Sequence, residues 1–334
     1  MERLALIEAF IRKEYDKALA KDVALRPLEE INIFNVRLVT EYLTSHAELL
    51  EGFRVTNDAD SSYVIGETDR NIIVKLSFKN DAIKKIVLKA NDPNSHRIKM
   101  TVEYDGTNYS GFQRQSSLTS IQSELEKAIS AVNGYDTEIH GASRTDAGVH
   151  ALGQIIDFDT VFDFEPEKWK IILNNQLPKD IRVKRSESVP QLFHARFDVE
   201  TKQYRYILNL GEFSAFRRNY EWTVAMPIDL SIFERELKKF EGKHDFSSFC
   251  KGEKASKVRT ILETRLERNG DHVEVTFIGD GFLHNMIRII IALLVDIASG
   301  RSRADVNEVL KNKNRKATTH LAPSGGLYLV EVKY

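Results

Sequence analysis

The stretch Gly141-Ala142-Ser143-Arg144-Thr145-Asp146-Ala147-Gly148-Val149-His150-Ala151 lies between two segments that read as strands, residues 138–142 and 154–159. It is a polar loop with small residues on both sides of an Arg-x-Asp pair. Ala147 and Gly148 allow another backbone or a ligand to come close to Asp146. A carboxylate held beside a cation stays ionised at neutral pH, which a nucleophile or general base requires. The same residues also fit a capped turn carrying a solvated ion pair. Local composition leaves both readings open.

Working outward, residues 98–104 alternate as a strand through Ile98, Met100, Val102 and Tyr104. A helix over 119–132 puts Ile121, Leu125, Ala128, Ile129 and Val132 on one face, with a capping box expected at Thr119 and Gln122. Downstream, strands are expected at 181–186, 203–210, 259–266, 272–278 and 327–332. Helices are expected at 166–174, 230–240, 282–298 and 304–310. Strands outnumber helices and many are sequence neighbours, which favours α+β with a mainly antiparallel sheet over a doubly wound parallel one.

Upstream, helical periodicity covers 4–19 and 34–50, and strands at 72–78 and 83–88 flank an expected turn at Asn80-Asp81. The cluster Asn91-Asp92-Pro93-Asn94-Ser95 reads as a linker, so a boundary is expected there. That boundary sets off an N-terminal α+β extension over 1–96.

Composition removes whole classes of function. The chain has 334 residues, 42% apolar and 29% charged, with only 17 Gly and 7 Pro, a mixture that folds. One cysteine, Cys250, excludes an intrachain disulfide and a zinc site built on several thiolates. A net charge of −1 means that any nucleic-acid binding comes from local patches. The apolar run at 289–295 is far short of the roughly 20 residues of a membrane span. The first residues do not resemble a signal or transit peptide, so a cytoplasmic location is expected. Phosphate-binding loops, dinucleotide fingerprints and zinc-hydrolase motifs are absent from the sequence, and no metal site is expected.

The run Arg144-Thr145-Asp146-Ala147-Gly148-Val149-His150-Ala151 resembles the catalytic signature of the tRNA pseudouridine synthase A family. Further blocks fall in the family's order. They are 102–106 with 111–115, Phe193-His194-Ala195-Arg196-Phe197, Lys202-Gln203-Tyr204-Arg205-Tyr206, 242–249, Phe282-Leu283-His284-Asn285-Met286-Ile287-Arg288 and Gly326-Leu327-Tyr328-Leu329. The resemblance covers about 97–334 and leaves 1–96 unassigned. Ser143 stands where the family often has Gly, and Phe112 where it often has Trp. Ile289 and Ala292 replace its common Asn and Gly.

The resemblance implies a two-lobed pseudouridine synthase fold with helices flanking the sheet, divided into a lobe carrying the Asp loop over 97–195 and a second lobe over 196–334. It implies an isomerase that converts uridine to pseudouridine in the tRNA anticodon stem-loop, at positions 38 to 40, with no cofactor. A homodimer with tRNA as partner and no membrane association follows from the same likeness. Asp146 becomes the catalytic carboxylate, Tyr204 the active-site tyrosine and Arg288 the arginine that pairs with the carboxylate. Arg144 is expected at the flipped nucleotide and Leu327 in the uracil pocket. Arg114, His150, Arg196 and Arg205 are expected to bind substrate, helped by Arg217, Arg218, Lys251, Lys254, Lys257, Arg259 and the basic residues of 311–316. Two alternatives remain: a paralogue acting on another RNA, and an RNA-binding or RNA-folding protein without essential catalysis.

Overall fold

The strand over 96–104 needs partners on both edges, and the sheet that supplies them organises most of the chain. The computed structural model describes residues 95–191, 193–250, 256–314 and 320–334, together with the backbone of strands at 31–32, 55–58, 62–65, 72–79 and 82–90. The expected helices at 4–19 and 34–50, the turn at Asn80-Asp81, most of the linker, and Lys251, Lys254, Arg315 and Lys316 lie outside the described residues.

Two compact units divide the chain: Met1–His96 with Pro190–Phe193, and Arg97–Val189 with His194–Tyr334. In the first, β1 (Ile31–Asn32), β2 (Val55–Asp58), β3 (Ser62–Ile65), β4 (Ile72–Lys79) and β5 (Ala82–Ala90) form an antiparallel sheet in the order β1-β5-β4-β3-β2.

The second unit is built on a mixed, mostly antiparallel sheet. Its strands are β6 (His96–Tyr104), β7 (His140–Gly141), β8 (His150–Thr160), β9 (Ile181–Val189), β10 (Thr201–Asn209), β11 (Trp222–Thr223), β12 (Gly242–Asp245), β13 (Val258–Asn269), β14 (His272–Gly279) and β15 (Leu327–Lys333). The main path is β12-β13-β14-β10-β15-β8-β6-β9, with β11 beside β10 and β7 beside β8. The helices are α1 (Ile121–Asn133), α2 (Pro166–Gln176), α3 (Leu230–Lys238), α4 (Met286–Ala298) and α5 (Val306–Asn312). The α+β expectation with a mainly antiparallel sheet holds.

Three local details differ from the sequence reading. The cap of α1 is Ser120 rather than Thr119: Ser123 N donates to Ser120 Oγ at 3.2 Å, and Ser120 N donates back to Ser123 Oγ at 3.1 Å. The box has the expected geometry, one residue later. Helix α4 begins at Met286 rather than 282, because Asn285 takes φ of 62° and interrupts the helical path. Strand β7 is only two residues long.

Helix α4 is apolar on nearly every side, and Ile289, Ile290, Ile291, Leu294 and Val295 are buried. A helix of that composition belongs inside. It packs against α3, whose Phe233 and Leu237 are buried, and lies near the core formed by Phe240, Phe246 and Phe249. Burying each such side chain stabilises by about 1.5–3 kcal/mol. The consequence for the site is placement: a rigid apolar helix carries one cation, Arg288, close to its N-terminal end.

Candidate active site

Strand adjacency assembles the site. β8 runs parallel to β15, with His150 opposite Tyr328 and Ala151 opposite Leu329. β15 in turn runs antiparallel to β10, with Leu327 opposite Tyr206 and Leu329 opposite Tyr204. The Asp146 loop leads into the start of β8, so it emerges beside the start of β15 and the middle of β10.

Close backbone approaches hold the loop. Phe112 N donates to Thr145 O at 3.1 Å, Gly148 N to Tyr109 O at 3.3 Å, and Val149 N to Asp146 O at 3.1 Å. Gly148 has φ of 74°, a conformation that glycine adopts without steric cost. Beneath the loop, Tyr104 and Thr145 share a hydrogen bond at 2.7 Å.

Asp146 is 18% exposed and Arg288 13%. Arg288 Nη1 donates to Asp146 Oδ2 at 3.3 Å and to Asn285 Oδ1 at 3.1 Å, while its Nε donates to Ala322 O at 2.8 Å. Ala322 N donates to the Arg288 carbonyl at 3.1 Å, so the segment before β15 is tied to α4 by side chain and backbone together. His284 Nε2 lies 3.4 Å from the other carboxylate oxygen, Oδ1. Each carboxylate oxygen thus faces a basic side chain.

Tyr204 is buried, its hydroxyl 2.7 Å from Ser143 Oγ and its ring edge-on to Phe282 at 5.2 Å. Burial pushes the phenol up to about 12; the Ser143 hydrogen bond opposes that shift and the nearby Asp146 charge adds to it. At neutral pH it is a neutral hydroxyl and an aromatic wall. Leu327 is buried on the same face of the sheet, across from Tyr206.

The structure thus brings Asp146 and Arg288 into contact, with Tyr204 close by. It separates other expected residues from them. Arg205 alternates with Tyr204 and Tyr206, so it points to the opposite face of β10, where it pairs with Glu274 at 2.9 Å and lies over the Tyr328 ring at 5.9 Å. His150 is only 2% exposed. Its Nδ1 accepts from Gly106 N at 3.1 Å, its Nε2 donates to Asn219 O at 2.8 Å, and its ring stacks on Tyr328. Buried and occupied at both nitrogens, His150 braces the loop instead of facing substrate. Arg114 is exposed but donates to Glu126 at 2.9 Å. Arg144 and Arg196 are exposed and near one another: burial and then the Arg196 charge lower the Arg144 pKa. Among the described residues neither has an acidic partner.

Sequence reasoning assigned no role to His284, Gln154 or Asn285. His284 and Asn285 left a signal, because both lie inside the quoted 282–288 block; Gln154 left none. Among the described residues, no group of three or more His, Cys, Asp or Glu side chains is placed to hold a metal ion, and no helix is long and apolar enough to cross a membrane.

A family model described as tRNA pseudouridine synthase matches residues 100–198 and 237–334. The chain belongs to this family. The matched residues contain Asp146, Arg288 and Leu327, but not Tyr204. The chain is 42% identical over 242 residues to a tRNA pseudouridine synthase A of Brevibacillus brevis, covering 71% of this chain and 99% of that one. It is 43% identical over 236 residues to the protein of that name from Halalkalibacterium halodurans, covering 69% and 90%. With the Acetivibrio thermocellus protein of that name the identity is 41% over 241 residues, covering 71% and 99%.

Proposed function

We propose that Asp146 is the catalytic carboxylate of a tRNA uridine isomerase acting in the anticodon stem-loop, at positions 38 to 40. As a member of the tRNA pseudouridine synthase family, the chain is an isomerase that converts tRNA uridine to pseudouridine. The observation that carries the assignment of Asp146 is its contact with Arg288. An arginine on a buried apolar helix is costly unless paired, and here its partner is a carboxylate still 18% open to solvent.

The chemistry asks for little else. The C1′–N1 bond of uridine breaks, the uracil turns, a C1′–C5 bond forms, the C5 proton leaves and N1 takes up a proton. No electron is gained or lost, so no cofactor is required. Asp146 acts on the ribose or the base. Arg288 holds the carboxylate in place. Tyr204 and Leu327 supply a flat apolar wall for the detached uracil. Arg144 fills the space left by the flipped nucleotide and, with Arg196, meets backbone phosphate.

The same reading takes 97–195 and 196–334 as two catalytic lobes and 1–96 as an appended α+β extension. The compact unit running from Arg97 to the C-terminus, Pro190–Phe193 excepted, supports the boundary near 96. A cytoplasmic homodimer bound to tRNA completes the reading, supported by the family resemblance.

The test is tritium release from tRNA carrying 5-tritiated uridine. The intact chain releases tritium and Asp146→Ala does not, while still binding tRNA. Equal release by both proteins overturns the role of Asp146. Release confined to tRNAs with uridine outside the anticodon arm overturns the target assignment.

A further inference from the structure

Below the Asp146 loop runs a line of polar contacts that the reading above leaves unused. Gln154, on β8, is fully buried. Its Oε1 accepts from Ser143 N at 3.1 Å, and its Nε2 donates to Ser143 O at 2.7 Å and to the Tyr104 hydroxyl at 3.3 Å. Tyr104 continues to Thr145 Oγ1 at 2.7 Å. Both backbone polar groups of Ser143 are therefore held by one buried amide, immediately before the Arg144–Thr145 peptide that leads to Asp146.

With its backbone fixed, Ser143 has a side chain with a single hydrogen-bond partner among the described residues, the Tyr204 hydroxyl at 2.7 Å. Tyr204 is buried and pressed edge-on by Phe282, so its hydroxyl has few alternatives. A buried phenol without a partner is unfavourable.

We propose that Ser143 is a positioning residue for the isomerisation: its hydroxyl fixes the Tyr204 phenol against the uracil, and Gln154 fixes Ser143. The proposal rests on Tyr204 facing the uracil, as above. Two hydroxyls in contact share one hydrogen bond with either acting as donor. When Ser143 donates, the phenol proton is free for a uracil carbonyl. When Tyr204 donates, its oxygen can accept from a uracil N–H. The pair therefore meets the base both before and after it turns, without displacing a heavy atom. A glycine, the residue often found at this position in the family, offers no such hydroxyl.

The experiment compares Ser143→Ala, Ser143→Thr, Tyr204→Phe and the double variant Ser143→Ala/Tyr204→Phe under single-turnover and steady-state conditions, with thermal melting as a check on folding. Ser143→Ala is expected to lower kcat roughly five- to tenfold, the scale of one lost hydrogen bond, with KM for tRNA unchanged. Ser143→Thr, which keeps the hydroxyl, restores most of the rate. In the Tyr204→Phe background, Ser143→Ala has no further effect. A wild-type rate for Ser143→Ala beside an impaired Tyr204→Phe overturns the proposal alone. Independent, multiplying losses in the double variant also overturn it. Full activity of Tyr204→Phe overturns the reading of Tyr204 and this proposal with it.

Discussion

Arg288 and Asp146 are separated by 142 residues in the chain, yet their side chains meet at 3.3 Å. The contact joins the N-terminal turn of a buried helix to the loop that opens the central strand β8. Each Asp146 oxygen has its own neighbour, Arg288 on Oδ2 and His284 on Oδ1. Arg288 has little freedom to leave, because its Nε also donates to Ala322 O and its Nη1 to Asn285 Oδ1. The carboxylate is thus oriented by a cation that is itself held at three points.

Replacing Arg288 tests that arrangement. Arg288→Met removes the charge and leaves the Ala322 carbonyl without its donor. Pseudouridine formation is expected to fall at least about 100-fold, within the usual range for a misplaced acid–base group. Stability is expected to fall by about 1–3 kcal/mol, for one unsatisfied carbonyl. Arg288→Lys keeps the charge but not the planar fork, so it recovers only part of the rate. Single-turnover assays with urea unfolding of the same samples separate the two effects. Wild-type kinetics in Arg288→Met would remove Arg288 from the site.

Gly106 sets the position of the Asp146 loop from the opposite side. A Cβ at this position would overlap the Val149 carbonyl, and Gly106 N also donates to His150 Nδ1 at 3.1 Å. Gly106→Ala must push the loop away from β6. A destabilisation of about 1–3 kcal/mol is expected from the overpacking, with loss of most activity. Gly134→Ala is the control. It has φ of 74° but nothing within 4 Å of its Cβ, so it costs only about 1 kcal/mol and leaves turnover unchanged. Melting temperatures and rates of the two variants decide the point.

Much of this was legible in the sequence, for reasons that can be stated element by element. Alternation through Ile98, Met100, Val102 and Tyr104 reported β6 because only one face of that strand is fully buried. The apolar run at 289–295 reported α4, but not its start: Phe282 and Leu283 extend the apolar pattern, and only the φ of Asn285 breaks it. β12 was invisible, since Gly242-Lys243-His244-Asp245 has no apolar alternation and is held as an edge strand by β13. The parallel pairing of β8 with β15 joins segments far apart in the chain and leaves no periodic trace. In the site, the family block supplied Asp146 and Arg288 as partners. Period two alone would have placed Arg205 on the face away from Tyr204, whereas the burial of His150 needed the packed sheet. Ser143 and Gln154 meet only through the fold, so neither contact had a local signal.

Asp105 links the rim of the loop to pH. Burial alone would raise its carboxyl; the Thr107 hydroxyl and N–H and the Tyr220 hydroxyl outweigh that and hold it below the ordinary value of 3.8. A lowered folded pKa adds stability above the ordinary value and loses it as pH falls through the folded one. Tyr220→Phe removes one of these bonds. At pH 7 it should cost about 1 kcal/mol, discounted because both groups are partly exposed. The gap between variant and parent should close as the carboxyl is protonated, below about pH 4. Urea midpoints at pH 7 and pH 3 measure it, and a gap that stays constant counts against the linkage.

Arg144 and Arg196 pose an electrostatic problem that the folded chain does not solve by itself. Burial and then the Arg196 charge lower the Arg144 pKa, which places two cations in mutual repulsion. Among the described residues no carboxylate pairs with either one, whereas Arg114 has Glu126 at 2.9 Å. A phosphate brought by RNA relieves the repulsion and releases its condensed counterions. Each of Arg144→Gln and Arg196→Gln should therefore weaken tRNA binding and flatten the plot of log K against log salt by roughly 0.7–0.9. The double variant should flatten it by about twice that amount. Arg114→Gln should change the slope less, since that guanidinium already has an internal partner. Filter binding across a salt series reads all four proteins, and unchanged slopes for Arg144→Gln and Arg196→Gln would place the RNA backbone elsewhere.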